Sequence, residues 1–159
     1  MHTIKYPFKF FPEDKKIVEV QKGVYWIKIL LPTIITHVNV YVLEDDDEIT
    51  IIDTGLACDH CKQIWSFLIN SKFKNKKIKR IIITHHHPDH IGLLGWFVNN
   101  FNTEIWTSRS SWLTGRMLTL DKKKTVSKET LSFWQNAGIP FEIVQEKSLE
   151  KPFNFIDFV

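Results

Sequence analysis

Apolar and polar positions alternate along the early part of the chain and then change period. Residues 17–20 and 24–30 set β-branched and aromatic side chains around Gly23, which predicts two short strands joined by a turn, with Pro32 closing the pair. Residues 38–43 alternate again, the acidic run at 44–48 supplies a turn, and residues 49–52 return into Asp53-Thr54-Gly55 as a further hairpin-like unit. Over residues 58–67 the period lengthens. Cys61, Ile64, Trp65 and Leu68 fall at helical spacing, which predicts a helix lying on the strands.

Residues 72–80 form a basic connector into a buried-looking strand at 78–83. Beyond it the pattern predicts a helix over 91–101, a short strand over 104–107, and helices over 108–120 and 125–137, the last stopped by Gly138. The final segment, 139–159, reads as one strand-like stretch followed by an aromatic run that ends apolar. With no repeat, linker or low-complexity stretch, the sequence predicts one domain over residues 17–159 behind an aromatic arm, residues 1–16.

Composition changes this picture little. Of 159 residues, 43% are apolar and 25% charged, as in an ordinary globular domain, and 21 basic against 18 acidic side chains leave a formal charge of +3, too weak a bias to imply nucleic acid. Residues 1–12 lack the basic start, continuous apolar run and cleavage site of a secretory signal, and no window has the apolar length of a membrane span. The default expectation is a cytoplasmic protein without a membrane partner.

The candidate chemistry lies in RIIITHHHPDHIGLLGW, residues 80–96, where an isoleucine run ends in His85, His86, His87, Asp89 and His90. Residues two apart in an extended loop point the same way, so His85 and His87 can face one point. Pro88 fixes the next backbone angle and places Asp89 and His90 in the first turn of a helix. Imidazole with carboxylate suits zinc, and iron or manganese accept the same mixture. Gly92 leaves the approach unobstructed. His86, between two candidate ligands, points away and is read equally as packing or as a hydrogen-bond donor behind the ligands. His37 is read as a strand residue, His60 as exposed, and His2 as part of the arm. Cys58 and Cys61 form one C-x-x-C, a weak zinc or redox signal that is read as packing.

THHHPDH, residues 84–90, resembles the H-x-H-x-D-H signature of the metallo-β-lactamase fold superfamily. IIDTG at 51–55 and HVNVYVL at 37–43 resemble that family's earlier strand motifs, and GLLGW at 92–96 resembles its hydrolase-like branch. The resemblance covers about residues 17–120. It implies an α+β fold, the αββα sandwich, with His85 and His87 holding one metal and Asp89 and His90 a second. Asp89 carries the catalytic assignment, and Asp53 supports the metal loop through hydrogen bonds. It also implies hydrolysis by water activated at a two-metal site, usually zinc, on a thioester, lactone, amide or phosphodiester, with a small-molecule ester or thioester as the favoured substrate class.

The family's remaining ligands, further histidines and a bridging aspartate, have no counterpart here, because no histidine follows His90. Asp121 and Asp157 lie in no matching motif. The chain is therefore expected to be the N-terminal portion of a longer hydrolase. On that reading it is impaired in isolation, partly occupied by zinc, and completed by a missing C-terminal half or a second copy. The alternatives are an inactive fold remnant or interaction subunit, and an RNA-processing nuclease drawing on Lys72, Lys74, Lys76, Lys77, Lys79 and Arg80. For that run the favoured reading is a solvated connector, since Phe73 alone interleaves it.

Overall fold

A computed structural model describes residues 4–5, 7–8 and 10–159, so His2 lies outside the described residues. The alternating segments become a six-stranded sheet in sequential order: β1 (Ile17–Gln21), β2 (Val24–Leu30), β3 (His37–Asp45), β4 (Glu48–Ile52), β5 (Lys77–Ile83) and β6 (Glu104–Thr107). Strands β1 to β4 form an antiparallel meander, whereas β4, β5 and β6 pair in parallel. Parallel pairing needs crossovers. They are α1 (Asp59–Asn70) before β5, and α2 (Pro88–Ile91) with α3 (Leu94–Asn100) before β6. The fold is α+β, and the described residues supply one sheet of the expected sandwich.

One sheet face is the core. Tyr25, Ile27, Ile29, Val38, Val40, Val42, Ile49, Ile51 and Ile81 are buried with Cys61, Ile64, Trp65 and Leu68 of α1 and with Leu93 and Phe97. The helical face of α1 is the one its spacing predicted. Trp65 packs edge-on against Phe97 at 5.3 Å and donates its indole N–H to the Thr54 carbonyl at 2.7 Å, so core packing reaches the turn after β4.

The opposite face carries a row of apolar side chains in register across five strands. Trp26 pairs with Tyr41, Tyr41 with Ile52, Ile52 with Ile82, and Ile82 with Trp106. Phe8 and Phe11 of the arm pack against Trp26, and the Arg80 guanidinium lies 4.0 Å from the Trp106 ring centroid. Trp106 is nonetheless half exposed.

The chain divides into two compact units. The first comprises the described residues through Gly115 with Phe158–Val159, and the second is Arg116–Asp157. Helix α4 (Arg109–Leu120) begins in the first and ends in the second. Within the second, α5 (Lys128–Asn136) is capped by the Ser127 hydroxyl, which accepts from Thr130 N–H, and is followed by α6 (Phe141–Leu149). The buried Asn154 side chain accepts from Lys123 N–H at 2.6 Å and donates to the Lys123 carbonyl at 3.0 Å.

Two local expectations are corrected. The strand-like stretch after Gly138 is helix α6: Pro140 precedes its first turn, Glu142 and Lys147 sit at the ends where the helix dipole favours them, and Val144 is its buried residue. The helix expected over 91–101 instead begins at Pro88 and breaks after Ile91. Gly92 itself keeps helical dihedrals, the irregularity falls at Leu93, and a Cβ on Gly92 would meet Ala57 N at 2.5 Å and Gly55 O at 2.7 Å. Backbone from the turn after β4 is seated directly on Gly92.

Gly92→Ala should therefore destabilise the fold by about 1–3 kcal/mol through overpacking against backbone that cannot yield. Gly95→Ala, in α3 with nothing within 4 Å of the added carbon, should be neutral or stabilising by up to about 1 kcal/mol. Denaturant midpoints of the two variants check this, and equal midpoints would contradict the seating of Gly92.

Candidate metal centre

Strands β4 and β5 are parallel neighbours, so their C-terminal ends emerge side by side, and each leads into one half of the site. From β4 comes Asp53, 4% exposed and held at φ 61° in the left-handed region, which aspartate tolerates better than most side chains. Its amide donates to the Ile82 carbonyl at 2.9 Å. From β5 come Thr84 and the histidines.

The Asp53 carboxylate holds this second loop by three bonds. Oδ1 accepts from Thr84 N–H at 2.9 Å, while Oδ2 accepts from the Thr84 hydroxyl at 2.7 Å and from His90 Nδ1 at 2.8 Å. Thr54 adds a second clamp. Its N–H and its hydroxyl both donate to the His90 carbonyl at 2.8 Å, and the hydroxyl accepts from Leu93 N–H at 3.2 Å.

These partners fix protons. An ionised carboxylate only accepts, so His90 carries a proton on Nδ1, and in the neutral ring Nε2 is the unprotonated nitrogen. The single hydroxyl proton of Thr84 is committed to Asp53, so Thr84 accepts from His85 Nδ1 at 2.9 Å, which leaves His85 Nε2 unprotonated as well. One buried carboxylate thus sets the tautomers of two imidazoles whose ring centroids lie 4.0 Å apart.

The donors approach one another in pairs. His85 Nε2 lies 3.1 Å from His87 Nδ1, and His90 Nε2 lies 3.4 Å from Asp89 Oδ2. Two donors of a tetrahedral zinc ion with bonds of about 2.0–2.1 Å stand roughly 3.3 Å apart, so each pair has the span of one edge. No group of three or more His, Cys, Asp or Glu side chains among the described residues is arranged to hold a metal ion. The donor chemistry suits a transition-metal cation, and the described side chains do not complete a set of ligands.

The electrostatics separate the imidazoles. Burial works against protonating His90, but the Asp53 hydrogen bond and the charges of Asp53 and Asp89 outweigh it, so its pKa is raised. Burial lowers that of His85, helped by the neighbouring His90 and His87.

The remaining candidates are placed as follows. His86 packs beside Gly115 and stacks edge-on with His87. His37 opens β3. His60 is half-buried rather than exposed, because the loop ahead of β1 brings Asp14 Oδ1 to 3.6 Å from its Nε2. Asp121 and Asp157 pair with Lys123 and Lys151. The basic run is largely occupied: Lys76 pairs with Glu44 at 2.7 Å, Lys77 and Lys79 with Glu48, and Lys72 lies over the Tyr25 ring. Thr84 and Thr54, to which no sequence motif gives a role, are as central as the histidines. Their signal was present only as neighbours of the motif residues.

The architecture is a mixed six-stranded α+β sheet with a histidine loop at the ends of its parallel strands, and comparison identifies the family. The family model described as the metallo-beta-lactamase superfamily matches residues 34–153, and the chain belongs to that superfamily. The sequence is similar to the probable metallo-hydrolase YqjP of Bacillus subtilis, 25% identical over 124 residues that cover 77% of this chain and 38% of that protein. A shorter stretch is 35% identical over 72 residues to ribonuclease J of Synechocystis, covering 42% of this chain and 11% of the relative. The fold is shared with a β-lactamase domain protein from Burkholderia ambifaria, at TM-score 0.71 and 23% identity, covering 92% of this chain and 45% of that one. The chain thus spans less than half the length of each. No helix among the described residues is long and apolar enough to cross a membrane.

Two outcomes follow. Asp53→Ala should cost about 2–4 kcal/mol in denaturant unfolding, because it strands buried donors of Thr84 and His90 and places alanine at a left-handed position. Asp53→Asn should fold but let its amide donate to His90 Nδ1, moving the imidazole proton to Nε2, as read by ¹⁵N NMR of the ring; an unchanged tautomer would contradict the carboxylate's role. Separately, Lys76 and the Tyr25 hydroxyl hold the Glu44 carboxyl below its ordinary value. That contribution to stability is present at neutral pH and lost as pH falls through the lowered value. Glu44→Gln should therefore cost less than about 1 kcal/mol at pH 7 and nothing once the wild-type carboxyl is protonated, as compared by unfolding at both extremes.

Proposed function

We propose that this chain supplies a metal-binding half-site for hydrolysis, with His85 and His87 as donors to one zinc ion and Asp89 and His90 as donors to a second. The observation that supports this is the Asp53–Thr84 network, which turns unprotonated Nε2 atoms of both His85 and His90 into the site. Imidazoles engaged merely in packing would need no such tautomer control. Iron or manganese suits the same donors. When bound, such cations supply Lewis acidity, bringing a coordinated water towards a pKa of about 7 and stabilising negative charge that develops on oxygen.

The chain's own groups do the positioning. Thr84 and Asp53 hold the proton of His85 at Nδ1, Asp53 holds that of His90 at Nδ1, and Thr54 fixes the backbone on which His90 rides. Asp89, 3.4 Å from His90 Nε2, would serve as the catalytic carboxylate and orient the attacking water. With two side chains for each, a cation held here would be completed by water, substrate or donors other than the described side chains. The favoured substrates are small esters and thioesters. Similarity to ribonuclease J supports a phosphodiester as the second reading, although pairing of Lys76, Lys77 and Lys79 with Glu44 and Glu48 offsets part of the cationic track that nucleic acid would need.

Zinc titration by calorimetry tests the assignment. The chain should take up zinc substoichiometrically, His85→Ala and His90→Ala should each abolish or strongly weaken uptake, and Asp53→Asn should weaken it about 10–100-fold. Zinc affinity unchanged in both histidine variants would overturn the reading. Turnover of a thioester against a phosphodiester by the zinc-loaded protein separates the substrate classes.

A further inference from the structure

The C-x-x-C motif takes no part in the site just described, and its geometry is more specific than packing requires. Cys58 is the residue that caps α1, and Cys61 lies in the helix's first turn. Side chains at a helix cap ordinarily accept from the first free amides, which is why Ser, Thr, Asp and Asn are preferred there. Cys58 makes no such bond. Its thiol is turned toward Cys61 instead and donates to that sulfur, with the two Sγ atoms 3.2 Å apart.

The two thiols differ in access. Cys58 is half-buried and Cys61 fully buried. The first can meet a reagent from solvent; the second can be reached from the first. Burial and the neighbouring Cys58 thiol push the Cys61 thiol up to about 12, so it stays protonated and inert until a partner is attached beside it. An alternative use as metal ligands lacks a third donor, since no group of three metal-binding side chains exists among the described residues.

We propose that Cys58 and Cys61 are an exchange-active dithiol, a modification site at which a low-molecular-weight disulfide closes an intrahelical Cys58–Cys61 disulfide. The Cys58 thiolate attacks one sulfur of the reagent, forming a mixed disulfide and releasing one small thiolate. The Cys61 sulfur then attacks the Cys58 sulfur and releases the second. Two small thiols are formed, taking up the two protons that the cysteines lose, and the reagent is reduced as the protein is oxidised. The new bond lies against the turn behind the histidine loop: the Cys61 sulfur is 3.5 Å from where a Cβ on Gly55 would stand, and Cys58 N–H donates to Leu56 O at 2.8 Å. Closure therefore staples the start of α1 beside the segment that follows Asp53.

The folded chain, reduced and then equilibrated with oxidised glutathione as the probe, is quenched in acid, alkylated under denaturing conditions and weighed by mass spectrometry. The wild type should lose both alkylatable thiols, weigh less by two hydrogen atoms and carry no glutathione. Cys61→Ala should stop at a stable glutathione adduct on Cys58, and Cys58→Ala should leave Cys61 free and unmodified. A wild type that keeps both thiols, or that accumulates the adduct without closing, overturns the proposal. The wild-type result decides the matter if Cys61→Ala, in the core, does not fold.

Discussion

The structure depends on one buried carboxylate held in a backbone conformation that few residues accept. Asp53 ends β4 in the left-handed region, and its two oxygens take three donors from the loop that leaves β5. A group that is ionised and buried must be compensated in full, so the loop cannot drift without stranding it. The same bonds set the protonation of His85 and His90. Positional order and chemical identity of the donors therefore have a common cause, and neither can be lost alone.

That constraint is reinforced by packing from two sides. Trp65, fixed in the core by α1 and Phe97, donates to the Thr54 carbonyl, while Thr54 itself holds the His90 carbonyl and Leu93 N–H. Gly92 admits backbone where any side chain would collide. The hydrophobic core and the polar site are thus joined through one residue of backbone, and the site inherits the rigidity of the sheet.

Much of this was legible in the sequence because it is local. The meander strands follow from period-2 alternation, α1 from the spacing of Cys61, Ile64, Trp65 and Leu68, and the histidine cluster from its position after an isoleucine run. What could not be read depends on partners distant in the chain. The need for glycine at 92 arises from Gly55 and Ala57, the importance of Thr84 from Asp53, and the ion pair of His60 from Asp14. The segment after Gly138 misled for a different reason: its β-branched residues suit a strand, but Val144 buries as part of a helix, and tertiary context overrode propensity. The lysine run reads from sequence as a solvated connector, and its pairing with Glu44 and Glu48, distant in sequence, appears only in the fold.

The clamp and everything it clamps lie within one continuous segment, from Asp53 through Leu93. The histidines, the orienting carboxylate, the two threonine clamps and helix α1 are encoded together, with Phe97 just beyond them as the packing partner of Trp65. Such a cassette can be duplicated, fused or recombined as a block while the sequence beyond it diversifies, so that inheritance of the histidine corner and change elsewhere proceed on separate genetic terms.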